Sequence, residues 1–391
     1  MSADRAVKPV NLDEVRLARA YLSRVAEPPA AALVRFVAEV GPVRAAELVR
    51  AGEVPAAVDS QTSARRALDQ AERDLEAAAK IGGRLLVPED DEWPRWPFNA
   101  LTIAAANNLR CGLEPLALWV RGQADLAAIT ERAVAVVGSR AASGYGQHVA
   151  GEFGFGLAEA GVTVVSGGAY GIDGAAHRGA IAAGGMTIAV LACGIDVAYP
   201  AGHRALLERI PGHGLLVSEY PPAHTPARHR FLTRNRLIAA LSEGTVVVEA
   251  AQRSGAKNTA ASTVALGRVL MAVPGPITSV CSSGCHELLR SGVALPVTSV
   301  AEVIESTGRL GMDLVEATRN TDTGPPQGDA MRVFEALGLT FGHSPEAISV
   351  ESGVELARVR ALLPQLELAG LAERADSGWK RSQNGSWRGD T

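Results

Sequence analysis

The chain has 391 residues, enough for two or three domains, and its 47% hydrophobic and 20% charged residues are typical of a globular protein. The formal net charge of −4 excludes a general attraction to nucleic acid, so any polyanion must be bound by a local cluster of cations. Four scattered cysteines and the lack of a signal-peptide core exclude a disulfide framework and predict a protein of the reducing cytoplasm, with no membrane span.

Residues 1–83 predict a helical domain. Helical patterns fill residues 12–80, and Ala31–Val40 and Val43–Ala51 meet at Gly41-Pro42 in a pattern that is similar to SAM or helix–hairpin–helix domains. Backbone amides in such a turn can meet phosphates, but a small helical packing domain is the favoured interpretation. A last helix, Ala64–Lys80, is predicted to end at the following pair of glycines.

Residues 84–308 predict a doubly wound, mostly parallel α/β sheet. Arg84–Val87 and Leu116–Val120 are predicted edge strands. From residue 133, six apolar strands alternate with helical segments, which requires parallel pairing with right-handed crossovers. The six strands are Ala133–Val137, Val162–Ser166, Thr187–Leu191, Gly214–Ser218, Thr245–Glu249 and Val269–Val273. The helices between them are Gly146–Ala160, Ile172–Ala183, His203–Ile210, Leu232–Leu241 and Thr259–Gly267.

Residues 309–329 predict a linker, and residues 330–391 predict a winged helix with a polar, disordered tail after Lys380. The linker is rich in turn formers and lacks apolar periodicity. The predicted helices are Ala330–Leu337, Pro345–Val350 and Val354–Ala369, and the hairpin strands are Leu371–Arg374 and Trp379–Arg381. Positive and negative charges nearly balance along the third helix, so a packing or partner module fits this domain as well as a DNA reader.

Two loops after predicted strands offer small residues to a ligand. The first strand leads into Gly138-Ser139-Arg140, at the place where doubly wound sheets bind ligands and a helix N-terminus favours anions. The second strand leads into a loop with Gly167 and Gly168, which allow a phosphate or sugar to approach the backbone. Asp173 follows in that loop; capping of the next helix is favoured over ligand binding.

The strongest clue is a stretch without acidic residues between Pro221 and Ser242. Its cations are Arg228, Arg230, Arg234 and Arg236 with His224 and His229, and Phe231 lies among them. Guanidinium groups that neutralise phosphates beside a ring that can stack a base are typical of single-stranded nucleic-acid sites. For Phe231 alone, anchoring of the loop to the core is the favoured interpretation, and some arginines could pair with Glu219 or Glu249.

Other chemistries have weaker support, and the chain is not predicted to be an enzyme. Cys281-x-x-x-Cys285-His286 has no second pair of ligands at zinc-site spacing, so no metal is predicted. Gly-x-Gly-x-x-Gly is absent and no acidic residue closes the second strand, which disfavours a nicotinamide cofactor, and no cofactor is predicted. His177 and His203 are interpreted as structural or helix-surface residues, not catalytic bases.

The chain resembles the DNA-processing protein A family, also called DprA or Smf. The resemblance rests on Val136–Arg140, Ser166–Asp173, Ser218–Pro221, Phe231–Arg236 and later segments up to Ser283-Gly284, which follow one another in the family order. It implies an extended Rossmann-like domain that binds single-stranded DNA, forms a homodimer and delivers the strand to the RecA recombinase in natural transformation. The predicted DNA-binding residues are Gly138, Ser139, Arg140, Gly167, Gly168, Arg228, Phe231, Arg234, Asn235 and Arg236.

Two alternatives belong to other classes of protein. One is a nucleotide-hydrolysing enzyme of the related phosphoribohydrolase group, although its Pro-Gly-Gly-x-Gly-Thr-x-x-Glu signature is absent around Ser254–Thr259. The other is a scaffold that recruits the recombinase through its helical end domains without binding DNA itself.

Overall fold

The computed structural model describes residues 11–107, 112–252, 254–308, 326, 328–368, 370–375 and 377–382. The chain divides into two compact units, Met1–Asp313 and Leu314–Thr391. The first unit contains the N-terminal helices together with the sheet, whereas the sequence predicts a separate domain for residues 1–83. The predicted linker at 309–329 and the polar tail lie almost entirely outside the described residues.

The first unit opens with helices that share a core with the edge of the sheet. Leu22 and Leu33 pack in one buried cluster with Leu85 and Trp119, which belong to the first two strands. This shared core explains why the helices and the sheet form one unit. The helices are α1 (Leu12–Val25), α2 (Ala31–Val40), α3 (Pro42–Ala51), α4 (Ala56–Thr62) and α5 (Ala71–Lys80).

A mostly parallel sheet with helices on both faces follows, which confirms the predicted fold class. In the described chain its nine strands lie in the order β1-β2-β6-β5-β4-β3-β7-β8-β9. Only the pairings of β1 with β2 and of β2 with β6 are antiparallel among these strands. The strands are β1 (Gly83–Leu86), β2 (Leu118–Arg121), β3 (Ala133–Val137), β4 (Thr163–Ser166), β5 (Thr187–Val190), β6 (Gly214–Ser218), β7 (Gly244–Val247), β8 (Val269–Ala272) and β9 (Leu295–Pro296).

Apolar residues cover both faces of the sheet. Along β3, Ala135 packs in the cluster that contains Leu237, whereas Val136 packs in the opposite cluster with Leu157. Burial on both faces explains why the parallel strands are continuous apolar runs. The helices are α6 (Arg95–Ala106), α7 (Leu126–Thr130), α8 (Gly144–Glu159), α9 (Ile172–Ala182), α10 (Arg204–Arg209), α11 (Arg228–Ala240), α12 (Ala256–Ala265), α13 (Ser283–Arg290) and α14 (Val300–Thr307). Throughout the described residues, none of the helices has the length and apolar character needed to cross a membrane.

The strand order reverses between β3 and β7, which fixes the position of a crevice. The chain adds β4, β5 and β6 on one side of β3 and then returns through α11 to place β7 on the other side. Ligands of doubly wound sheets bind at such a switch point. Helix α11 begins at Arg228, four residues before the predicted start at Leu232, so the arginine-rich stretch is largely helix and not loop.

The second unit has three helices followed by an antiparallel pair of strands. Val333, Leu337, Ile348, Val359 and Leu363 are buried in its core. These side chains recur at helical spacing, which is why the three helices were predictable. The elements are α15 (Asp329–Glu335), α16 (Pro345–Ser352), α17 (Leu356–Leu368), β10 (Ala372–Ala375) and β11 (Gly378–Arg381).

Candidate nucleic-acid interface

A cleft of about 810 Å³ opens at the switch point of the sheet. Its walls come from the loops after β3 and β7 and from the first turns of α11 and α12. Seven of the ten residues predicted from the sequence line it, although they lie far apart in the chain. These seven are Gly138, Ser139, Arg140, Arg228, Phe231, Arg234 and Asn235.

A carboxylate of the protein occupies the helix end where the sequence predicts a bound anion. Glu249, buried after β7, accepts hydrogen bonds from the amide and the hydroxyl of Ser143, the N-cap of α8, at 2.9 and 2.5 Å. A Cβ on Gly146 would lie 2.2 Å from Glu249 Oε2, so glycine makes room for this carboxylate. A nucleotide phosphate at this helix end would meet a buried negative charge. The cations of the cleft that remain available, Arg140 and Arg228, lie outside this helix end.

Helix α11 divides its arginines between two faces. Arg228 is exposed and Arg234 is buried, and both line the cleft. Arg230 and Arg236 are buried and pair with acidic residues outside the cleft. The spacing explains the division, because residues 228, 231, 234 and 235 lie within one stripe of an α-helix. The acid-free stretch thus supplies both cations that line the cleft and ion pairs within the protein.

Phe231 lies at the centre of the cationic side of the cleft. The Arg140 guanidinium carbon is 4.8 Å from the centroid of its ring, and that of Arg234 is 5.9 Å away. Phe231 is only partly buried and lines the cleft, so it presents an aromatic surface to a ligand. Because Arg140 is exposed, its guanidinium can leave the ring and bind a phosphate when a base arrives.

Arg234 brings a buried positive charge to the floor of the cleft. It donates hydrogen bonds to the carbonyls of Gly167, at 2.7 Å, and Val190. Burial lowers the pKa of Arg234, while the nearby Asp173 opposes this change. Burial also raises the pKa of the Asp173 carboxyl, which Arg234 and the backbone amides around it oppose. The Asp173 carboxylate accepts a hydrogen bond from the amide of Gly167. Asp173 lies inside the first turn of α9, and the N-cap of this helix is Gly171. The prediction that Asp173 caps the helix was therefore wrong.

The other three predicted site residues, Gly167, Gly168 and Arg236, do not line the cleft. Gly167 makes space for Arg234, since a Cβ there would lie 2.2 Å from Arg234 Nη1. The Gly168 carbonyl contacts His203 Nδ1 at 3.1 Å. Arg236 forms a buried ion pair with Glu219 at 2.7 Å, on the side of α11 that faces the N-terminal helices. The structure therefore gives these three residues contacts within the protein.

Glu27 of the N-terminal helical segment holds the first turn of α11. Its carboxylate accepts hydrogen bonds from Arg230 Nε at 2.7 Å and from Arg65 at 2.9 Å, and it contacts His229 Nε2 at 3.0 Å. Burial alone would raise the pKa of Glu27, but these partners, Arg230 foremost, lower it to about 2. The segment before α2 therefore fixes the helix that carries Phe231.

Arg140 and Arg228 are exposed cations of the cleft. Neither forms an ion pair with any residue that the structure describes. With Arg234 on the floor, they give a locally positive surface in a chain of net charge −4. Such a cluster can attract a polyanion although the whole chain does not.

The other candidates from the sequence have contacts of a structural kind. Buried His177 contacts Thr187 Oγ1 at 2.7 Å, and burial lowers the pKa of this imidazole to about 3. Cys285 is buried, and His286 contacts the carbonyl of Gly275 at 3.0 Å. Across the described ranges, no three His, Cys, Asp or Glu side chains are arranged to hold a metal ion.

The second unit has balanced charges on its surface. Each of its described basic side chains forms an ion pair or, in the case of Arg381, donates to backbone carbonyls. The pairs are Arg332 and Arg358 with Asp329, Arg360 with Glu346, Arg374 with Glu367, and Lys380 with Glu373. Unlike the cleft, this unit presents no described cation without a protein partner.

A doubly wound, mostly parallel sheet defines a Rossmann-like protein, and the cleft at its switch point carries arginines and an aromatic ring. The family model described as DNA recombination-mediator protein A matches residues 84–308. The chain therefore belongs to the DNA recombination-mediator protein A family, which confirms the resemblance found in the sequence.

Relatives named DNA processing protein DprA or Smf match most of the chain. A DNA processing protein DprA of Mycobacterium tuberculosis is 52% identical over 370 residues, which cover 94% of this chain and 95% of the relative. Protein Smf of Escherichia coli is 39% identical over 272 residues, covering 68% and 72%. The X-ray structure of DNA processing protein A from Streptococcus pneumoniae has a TM-score of 0.60 and 28% identity, covering 76% of this chain and 98% of that one.

We predict that Glu27→Gln lowers the free energy of unfolding by about 2 kcal/mol at pH 7, because charge-assisted hydrogen bonds to Arg230 and Arg65 are weakened. The pKa of Glu27 is about 2 in the folded protein against an ordinary 4.5. Its stabilising contribution is therefore complete above about pH 4.5 and is lost as the pH falls through about 2. Urea unfolding at several pH values measures this difference.

The matched control is Glu39→Gln, because Glu39 is exposed on α2 and forms no ion pair within the described chain. This control should leave stability unchanged at every pH. A stability difference between wild type and Glu27→Gln that stays constant from pH 7 to pH 3 would contradict the role of the Glu27 charge.

Proposed function

We propose that this chain is a non-enzymatic protein that binds single-stranded DNA in the cleft between β3, β7 and α11. The observation that carries the proposal is Phe231 beside Arg140, Arg228 and Arg234. Cations neutralise phosphates while the aromatic ring stacks a base, and only an unpaired strand can offer both groups at one site. Membership of a recombination-mediator family supports DNA as the polymer.

The carboxylate at the start of α8 supports a polymer site over a nucleotide-hydrolysing one. Glu249 fills the helix end that would hold a nucleotide phosphate, and it is hydrogen-bonded to Ser143 and so committed to structure. The buried His177 is bound to Thr187 and is not placed as a base at the cleft. These contacts favour binding without chemistry over the phosphoribohydrolase alternative.

We predict that combining Arg140→Ala with Arg228→Ala weakens binding of a fluorescein-labelled oligothymidylate, measured by anisotropy. Each lost phosphate contact should also make the plot of log affinity against log salt shallower by about 0.7, because fewer counterions are released. The pair should therefore reduce the slope by about 1.4.

A charge-matched control removes Arg35 and Arg95, two exposed arginines outside the cleft. This double variant should keep wild-type affinity and slope. Equal affinity of the cleft variant and the wild type would refute the site. Binding of a duplex as tightly as a single strand would refute the strand preference, and release of adenine from AMP by the wild type would favour the enzyme alternative.

We also propose that the first unit forms a homodimer through the surface around β9. Ile277 and Val280, between β8 and α13, are 92% and 77% exposed, and Leu295 is exposed on β9, which lies at the edge of the sheet. Exposed apolar side chains beside an open strand edge are typical of interfaces.

Ile277→Asp combined with Val280→Asp should convert a dimer to a monomer, because both charges would lose water in the interface. Light scattering after gel filtration measures the molar mass. Met186→Asp, at an exposed apolar residue elsewhere, is the control and should leave the dimer intact. A wild-type protein that is monomeric at all concentrations would contradict the proposal.

We further propose that the bound strand is delivered to the RecA recombinase, in DNA uptake and recombination. The support is the family match and the open cleft, which leaves a strand accessible to a second protein. Adding the wild-type chain should speed the onset of RecA ATPase activity on DNA coated with single-strand-binding protein. The variant lacking Arg140 and Arg228 should not, because it cannot hold the strand. No effect of the wild type would refute RecA loading.

A further inference from the structure

The cleft contains a second aromatic ring for which the proposed function gives no role. Tyr199 lines the cleft between β5 and α10 and is 40% exposed. Its ring centroid lies 5.6 Å from that of Phe231, and the two ring planes are inclined by 48°. We propose that Tyr199 is a second base-stacking subsite, so that Phe231 and Tyr199 receive bases of neighbouring nucleotides. This inference rests on the proposed binding of single-stranded DNA.

The backbone that presents Tyr199 is fixed at both ends. The Asp196 carboxylate accepts a hydrogen bond from the amide of Ala223 at 2.9 Å. On the other side, the amide of Gly202 donates to the Tyr170 hydroxyl at 3.1 Å. A ring on a fixed segment loses little conformational entropy when a base stacks on it, which favours binding. The segment therefore acts as a prepared wall of the cleft.

Comparison with Tyr170 argues against a purely structural role for Tyr199. Tyr170 uses its hydroxyl as an acceptor and packs its ring against His203, with centroids 4.8 Å apart. The Tyr199 hydroxyl forms no hydrogen bond within the part of the chain that the structure describes. Tyr199 thus offers a ring to the cleft without a bond that would explain its position.

The geometry of the two rings predicts the path of the strand. A base inserted between two rings needs them roughly 7 Å apart, twice the spacing of stacked bases. The observed 5.6 Å is too short, so one base cannot lie between Phe231 and Tyr199. The 48° inclination also prevents two parallel, stacked bases from each covering one ring. Two successive bases that each cover one of these rings would therefore not be stacked on each other.

The test uses the full chain and a labelled oligothymidylate at several salt concentrations. Tyr199→Ala should weaken binding about 5- to 150-fold, the loss expected for one stacked base. The salt slope should stay at its wild-type value, because the ring contacts no phosphate. Tyr199→Phe should bind as the wild type does, because stacking needs the ring and not the hydroxyl. Trp96→Ala, at an exposed aromatic residue outside the cleft, is the control.

Photocrosslinking of the wild type to an oligonucleotide with 5-iodouracil gives a second measurement that does not depend on a variant that folds. Mass spectrometry should find an adduct on Tyr199. If the wild type does not bind single-stranded DNA, the proposed function itself fails. If it binds, and the arginine variant weakens binding, but Tyr199→Ala binds normally and no adduct forms on Tyr199, only the second subsite is overturned.

Discussion

The arginine-rich helix α11 can pack against the rest of the protein because two carboxylates meet its inner face. Removing a guanidinium from water costs several kcal/mol unless a partner of opposite charge replaces the lost hydration. Glu27 supplies that partner to Arg230, and Glu219 supplies it to Arg236. With the inner face neutralised, the outer face is free to present Arg228 and Phe231 to the cleft. The positive surface of the cleft therefore depends on acidic residues that never reach it.

A third carboxylate occupies one position of the sheet at which an anion could otherwise bind. In many doubly wound sheets the first helix N-terminus after the first strand holds a phosphate. Here Glu249 satisfies that helix end from the loop after β7, and so ties together the two loops that diverge at the switch point. The cations that remain available lie farther out and are spread over two loops and a helix. Such a spread suits a chain of phosphates better than the compact phosphate group of one nucleotide.

The sequence was sufficient to predict the sheet, because apolar strands buried on both faces have a strong local signal, as at Ala133–Val137. It was also sufficient to place seven of the predicted site residues near one another, since loops at the carboxyl ends of parallel strands converge. It allowed for an arginine paired with Glu219, as Arg236 is. It could not assign each arginine to a face of α11, because that requires the start of the helix at Arg228, and the predicted start was Leu232. Glu27 left no signal, because it lies some two hundred residues before its partner Arg230. Tyr199 was not among the predicted residues, because an aromatic residue in a turn-rich loop is not distinctive until Phe231 is seen beside it.

In the proposed DNA site, arginines and aromatic rings contribute differently to the choice between a single strand and a duplex. Arg140 and Arg228 can meet the phosphates of either, so their contribution does not discriminate and weakens as salt is added. Phe231 can stack only on a base that is free of its partner, and exposing such a base in a duplex costs a few kcal/mol. Stacking contacts no phosphate and so releases no counterions. Raising the salt concentration therefore weakens the contribution of the arginines, which a single strand and a duplex share. It leaves the stacking contribution, which prefers an unpaired strand. If the cleft binds DNA as proposed, its aromatic surface sets the preference for single strands, and its arginines set how tightly any DNA is first attracted.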